Sequence, residues 1–308
     1  MKLAAAPTDA FGIDISAANG VIDFAKLVAG GVSFVSIQIT NGLSTDRNGV
    51  ANLKKAQAAG LLVGAYHFSS YKNTAIVEAQ HFASVIRSSG VVLDFPPMFD
   101  FEHVDDKTML SPLPAKETVK YALDFADEMA RQQFPVLEIY SYPSYLLPLH
   151  LEIVSQGLAQ KTRLWIADYS KGPHPSPGSV PVVFDPKNRW YLPDTWGTWS
   201  RWQTHGNDDK GAATGDPVHA PRIPGVQWAV DHDYYNGTKE EMRAEGNGQL
   251  SGPPPAPASP PSPAPDLPIT PDPNPATNPV TQPATIAVVV AVLAALGAFG
   301  HWVWNHLR

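Results

Sequence analysis

From residue 11 to about residue 237, short apolar runs alternate with amphipathic stretches. The runs 11–15, 33–39, 61–68, 97–102, 135–141, 163–169, 198–204 and 225–231 read as eight strands. Helix-period segments lie between the early ones. They are 24–29, 48–59 closed by Gly60, 74–88 ended near Gly90, and 115–132. In 74–88 the apolar positions are Ile76, Ala79, Phe82, Ala83 and Ile86; in 115–132 they are Val119, Leu123, Ala126 and Ala130. Later connections are richer in Pro and Gly and less helical. Strand–helix alternation at this spacing predicts a parallel sheet. Eight strands over this length predict an α/β fold, a (β/α)8-like barrel with an irregular last third. A doubly wound open sheet is the alternative, but no Gly-rich nucleotide loop follows the first strand.

The pattern stops after Glu245, so the catalytic barrel is expected over 1–245. Residues 246–283 hold almost no aliphatic side chains and a dense share of the chain's 31 prolines. Such a segment buries no core and reads as a Pro-rich linker. Residues 284–300 are uncharged and nearly all apolar, and Trp302 and Trp304 follow. Together, 284–304 is long enough for one C-terminal transmembrane helix with interfacial tryptophans, leaving 305–308 as a short tail. An apolar helix docked on the enzyme or a partner is the other reading, made less natural by the spacer. At the other end, Met1-Lys2-Leu3-Ala4-Ala5-Ala6-Pro7 is too short an apolar run for a secretory signal.

Charge and composition narrow the partners. Net charge is −7 with no basic run, so nucleic acid is not expected. The absence of cysteine excludes disulfides, thiol catalysis and thiolate metal sites. His205, Asp208, Asp209, Asp216 and His219 show no recognised ligand spacing and read as a solvated loop; neither metal nor cofactor is expected.

The fourth strand carries the sharpest chemical signal. In Met98-Phe99-Asp100-Phe101-Glu102 the two carboxylates share one strand face and the phenylalanines the other. The C-terminal end of a barrel strand is where barrel enzymes place their catalytic groups. Two close anions raise one pKa, keeping one carboxyl protonated while the other is ionised. Alone, Asp-x-Glu is equally a solvated strand end or a helix cap. Its setting favours chemistry, because other strand ends carry Asp14, Tyr66 and His67, Tyr140, Asp168 and Tyr169, Gln203 beside Trp202, and Asp231. A sugar site needs carboxylates, hydroxyl-binding groups and aromatic faces.

In order along the chain stand Gly12-Ile13-Asp14-Ile15-Ser16, Ile22-Asp23-Phe24, Gly31-Val32-Ser33-Phe34-Val35, Thr40-Asn41-Gly42 and Ala59-Gly60-Leu61-Leu62-Val63-Gly64-Ala65-Tyr66-His67-Phe68. Asp100-Phe101-Glu102, Ile139-Tyr140-Ser141, Leu164-Trp165-Ile166-Ala167-Asp168-Tyr169, Trp202-Gln203 and Val230-Asp231 follow. This ordered set resembles glycoside hydrolase family 25, the Chalaropsis-type lysozymes, over residues 11 to about 237. The resemblance implies a somewhat flattened barrel and a muramidase that cuts the β-1,4 bond after N-acetylmuramic acid in peptidoglycan, with retention. It makes Glu102 the general acid and places Asp100, Asp14 and Asp231 in the same groove. The attacking group is either Asp100 or the substrate's own acetamido oxygen. Tyr66, His67, Tyr140, Tyr169, Trp202 and Gln203 are expected to bind substrate, with a packed structural histidine as the rival for His67. Asp168 is not expected to be catalytic.

The stretches 171–197 and 205–224 are longer than is usual in such enzymes. Within and beside the first, Trp190, Trp196 and Trp199 either extend a glycan surface or pack the insertion. The expected role is an endolysin-like enzyme of phage-induced lysis, bound to the host inner membrane through its C-terminal helix. Its catalytic domain would start in the cytoplasm and reach the wall when the membrane is breached, by a holin or by clustering of its own anchors. A cellular wall-remodelling muramidase and an inactive wall-binding module are the alternatives.

Overall fold

The structure is a computed structural model, and it describes residues 4–103, 113–169, 176–184, 195–206, 222–227 and 230–249. The expected linker beyond residue 249, the apolar stretch 284–304, and Asp208, Asp209, Asp216, His219 and Trp190 lie outside the described residues. No helix among the described residues is long and apolar enough to cross a membrane.

Eight strands close into a barrel. In order around it they are β1 (Phe11–Ile15), β2 (Phe34–Asn41), β4 (Leu62–Phe68), β5 (Met98–Asp100), β6 (Leu137–Ser141), β7 (Thr162–Ala167), β8 (Arg201–His205) and β9 (Asp231–Tyr235). A two-residue strand, β3 (Ser44–Thr45), pairs with the end of β2. The β1–β2 pairing completes the ring, which settles the barrel over the open sheet. Helices α1 (Phe24–Ala29), α2 (Gly49–Ala58), α3 (Ala75–Ser89) and α4 (Ala115–Arg131) fall where the 3.6-residue periodicity places them. Gly90 ends α3 in the left-handed conformation at φ 68°.

Three helices and the last strand depart from the sequence reading. Helix α5 (Pro143–Gln156) was not expected, because Pro143 and Pro148 mask its period. Pro143 occupies the first turn, where no N–H is needed, and Tyr145, Leu146, Leu149 and Ile153 are buried. A short α6 (Leu158–Lys161) follows, and α7 (Lys239–Gln249) runs past Glu245.

The last strand departs in a different way. Within the expected strand 225–231, Gly225 stands in a turn at φ +104° and Val226 is bridged to Ile22. A side chain on Gly225 would meet the Asp23 carbonyl at 2.5 Å, so only glycine fits there. The strand therefore begins at Asp231 and runs antiparallel to both β1 and β8. Asp231 still reaches the functional rim, as the first residue of a reversed strand.

Alternation along the strands divides the core in two. Outward residues such as Ile13, Val35, Phe99, Ile139, Ile166 and Trp202 join the apolar layer beneath the helices. Inward residues Phe34, Leu62, Phe95, Met98 and Tyr235 plug the lower barrel together with Met242 of α7. Each such burial contributes roughly 1.5–3 kcal/mol. Gly12 and Gly64 make room for this plug, since a Cβ there would meet the Phe34 and Phe95 rings at 2.4 and 2.0 Å. Trp199 packs on Trp202 at 5.8 Å and Trp196 donates to Thr162, so both belong to packing rather than to a glycan surface.

Candidate active site

Above the aromatic plug the lumen becomes polar. The middle layer is built on Arg201 of β8, held between the Trp165 and Phe95 rings at 4.3 and 4.9 Å. Arg201 donates to Glu138 and to Ser36. Trp165 Nε1 donates to Asp233 Oδ1 at 2.8 Å. None of Arg201, Glu138, Ser36 and Asp233 is more than marginally exposed. Most of these groups pair with one another, while Arg201 Nε and Asp233 Oδ2 have no hydrogen-bond partner among the described residues.

The upper layer holds the expected residues. Asp14 on β1 stands opposite Asp231 on β9 in register. Gln203 Nε2 donates to Asp14 Oδ2 at 2.7 Å. Gln203 Oε1 in turn accepts from Tyr140 at 2.9 Å and Tyr169 at 2.7 Å. The amide thus links both tyrosines to one carboxylate. Tyr66 and Tyr140 stand edge-on to Trp165, with centroids 6.5 and 4.7 Å away. Asp100 ends β5, buried, and its Oδ1 has no hydrogen-bond partner among the described residues. Glu102 lies two residues beyond, half-buried. It opens on a cleft of about 480 Å³ lined also by His103, Tyr140, Tyr142, Leu147 and Tyr169.

Electrostatics follow from this crowding. Burial, then the charges of Glu102 and Asp14, push the Asp100 carboxyl well above its ordinary range. Burial also raises Asp14, against the hydrogen bonds from Gln203, Asp231 and Asp233. It raises Asp233 strongly as well, with Asp14 adding and Arg201 opposing. Burial and the surrounding carboxylates hold Tyr66, Tyr140 and Tyr169 protonated, as hydrogen-bond donors. Several carboxyls crowded over one paired guanidinium favour protonated forms, as sites that handle protons do.

Asp14, Asp100, Glu102, Asp231, Tyr66, Tyr140, Tyr169 and Gln203 therefore converge on one rim and its cleft. His67 and Trp202 do not, and the expectation that they bind substrate is corrected. His67 alternates with Tyr66, so it points away from the lumen and is fully buried between Phe82, Phe99 and Phe125. Trp202 alternates with Gln203, is fully buried, and donates to the Asp168 carbonyl at 2.9 Å. The Asp168 carboxylate accepts the Val182 N–H at 2.6 Å, a structural bond between two chain segments.

Sequence reasoning missed Asp233, Glu138 and Arg201. Asp233 was within reach, because it shares the face of Asp231 two residues away. Arg201 carried no comparable signal, since a lone arginine at a strand start is usually solvated.

Residues 13–212 match the model of glycosyl hydrolases family 25. The chain is 27% identical to lysozyme M1 of Streptomyces globisporus over 241 residues, covering 77% of this chain and 71% of that protein. It is 30% identical to the autolytic lysozyme of Clostridium acetobutylicum over 159 residues, 51% of this chain and 44% of that protein. The solved structure of a bacterial lysozyme from Streptomyces coelicolor shares the fold, with TM-score 0.60 and 23% identity over 79% of this chain and 100% of that one. A muramidase from Acremonium alcalophilum does likewise, with TM-score 0.57 and 23% identity over 78% of this chain and 99% of that one. With most of the barrel inside the family match and a carboxylate-lined cleft at its rim, the chain belongs to glycosyl hydrolases family 25 and is a lysozyme-type glycoside hydrolase.

Proposed function

We propose that this hydrolase cuts the β-1,4 bond between N-acetylmuramic acid and N-acetylglucosamine in peptidoglycan, with retained configuration. The observation that carries the reading is the Asp100–Glu102 pair at the rim, one carboxyl buried and the other facing the cleft. Glu102, the accessible member, gives a proton to the leaving oxygen and later takes one from water. Asp100 lies deeper and orients the substrate's 2-acetamido group, whose oxygen attacks C1; direct attack by Asp100 is the competing route. Asp14 and Asp231 complete the acidic wall that stabilises positive charge developing at C1. Tyr66, Tyr140, Tyr169 and Gln203 supply hydroxyl, amide and ring contacts for the sugars.

The test is mass analysis of fragments released from purified walls by the full chain. Products ending in reducing N-acetylmuramic acid support the reading; reducing N-acetylglucosamine ends, or no release, overturn it. Both double-displacement routes give the β-anomer first, so an initial α-anomer by proton NMR would exclude them.

The same proposal extends to the domain plan: barrel over 1–245, linker over 246–283 and anchor over 284–304. Its support is compositional, a long spacer before an uncharged apolar stretch. An enzyme tethered this way at the host inner membrane, with its barrel first in the cytoplasm, fits phage-induced lysis in which a holin admits it to the wall. Deleting 284–308 is expected to release active enzyme from the membrane fraction. Membrane retention of the truncated form, or digestion of the full-length barrel by protease outside intact cells, contradicts the plan.

A further inference from the structure

The lumen poses a charge problem. Asp14, Asp100, Asp231, Asp233 and Glu138 face one another across a few strands, and the guanidinium beside them, Arg201, is already paired with Glu138. Full ionisation would bury several uncompensated negative charges at a large cost. Protons must therefore reside on some of these groups.

Asp233 is the best-placed holder. It lies in the middle of β9, fully buried, between Gly12 of β1 and Gln203 of β8 in register. Trp165 Nε1 fixes its Oδ1 at 2.8 Å. Its Oδ2 is buried and receives no hydrogen bond from an N–H or O–H donor among the described residues. A buried oxygen without a donor is costly as an anion and unremarkable as a hydroxyl. The adjoining acceptor is Asp14, which lies on the same lumen face of β1, two residues from Gly12, the residue opposite Asp233 in register, and its charge acts on Asp233.

We propose that Asp233 is a positioning residue that keeps a proton on Oδ2 and donates it in a hydrogen bond to Asp14, so that Asp14 holds its charge and orientation in the groove. The inference rests on the assignment of Asp14 to that groove. The groups facing the Asp14–Asp233 pair are Arg201 of β8, Glu138 of β6 through Arg201, Tyr140 of β6 and Tyr169 after β7 through Gln203, Asp100 of β5, Tyr66 of β4 and Asp231 of β9 itself. Burial and the Asp14 charge both favour the protonated form of Asp233, and Arg201 offsets them only in part.

Two variants of the full-length chain separate donation from mere packing. Asp233→Asn keeps a donor toward Asp14 but cannot ionise; Asp233→Ala removes the donor. Infrared difference spectra at pH 7 between wild type and Asp233→Asn are expected to show the carbonyl stretch of one protonated carboxyl lost. Asparagine is expected to keep kcat/KM within about threefold. Alanine is expected to lower it roughly 10–100-fold, the size of a lost hydrogen bond to a charged group. Without the donor the Asp14 anion is less favoured, so the acid limb of the alanine profile moves to higher pH and the asparagine limb stays. Absence of the infrared band overturns the proposal. So does an asparagine variant that is folded by circular dichroism yet as impaired as alanine, or an alanine limb that superposes on wild type. The infrared measurement needs no wall substrate, so failure of the muramidase reading leaves the proton assignment separately decided.

Discussion

Two buried clusters of ionisable groups lie on opposite faces of the same barrel sheet, and they are wired in opposite ways. On the outer face, Glu78 of α3 accepts from Ser69, Ser70, Asn73 and His67, while His67 bonds Thr40 through its other ring nitrogen. Burial alone would raise Glu78, but these donors outweigh it and bring the carboxyl down to about 2. Burial lowers His67, so the ring is neutral, with Nε2–H donating to Glu78 and Nδ1 accepting the Thr40 hydroxyl. On the inner face, Asp14, Asp100 and Asp233 have too few donors and are all raised. A cluster that satisfies its charges holds structure; one that leaves them short of donors is poised to move protons. Position within a strand decides which cluster a residue joins, as Tyr66 and His67 show.

The contrast is broken most severely at the mouth of the inner cluster. Glu102→Gln removes the transferable proton while keeping shape, and is expected to lower kcat at least ~100-fold with an unchanged melting temperature. Wild-type-like turnover in a wall-lysis assay would dismiss Glu102 as the acid. Asp100→Asn is expected to lower kcat roughly tenfold or more, and its effect on stability should be the reverse of an ordinary core lesion. A carboxyl raised in the fold costs stability as pH rises from the ordinary value of 3.8 through its folded value. The amide escapes that loss, so its melting temperature should equal or exceed wild type at pH 7.

The outer cluster should respond in stability alone. Glu78→Gln is expected to cost roughly 2–3 kcal/mol by chemical denaturation, with kcat within twofold of wild type. A carboxyl lowered in the fold contributes stability that is present above its ordinary value of 4.5 and lost as pH falls toward about 2. Neutral His67 adds to the acid sensitivity below 6.5, because the unfolded chain then takes the proton more readily. The variant should therefore show a flatter decline of stability from pH 6 to pH 3; a parallel decline would mean that Glu78 is not the source. The smallest effect is expected at Trp202→Phe, which loses one bond to the Asp168 carbonyl and some packing on Trp199. About 1 kcal/mol of stability and no change in KM are expected, and a raised KM would return Trp202 to the cleft.

The sequence by itself determined the barrel and most of its rim. Period-2 runs and capped amphipathic helices are local patterns, so β1 at Phe11–Ile15 and α1 at Phe24–Ala29 were legible to the residue. Asp100 and Glu102 were legible as a pair because their two-residue spacing is also a local property, although β5 itself ends at Asp100. Tertiary structure alone decided the rest. The reversal of β9 depends on a turn at Gly225 and on pairing with strands more than 20 residues away in the chain. Whether Tyr66 or His67 faced the lumen depended on which side of β4 the helices covered, and the alternation fixes only that they differ. Arg201 could not be placed under the site from sequence, since its partners Ser36, Glu138, Phe95 and Trp165 are brought together only when the barrel closes. Charge balance in a buried lumen is a sum over all strands at once, and no single segment of the chain contains it.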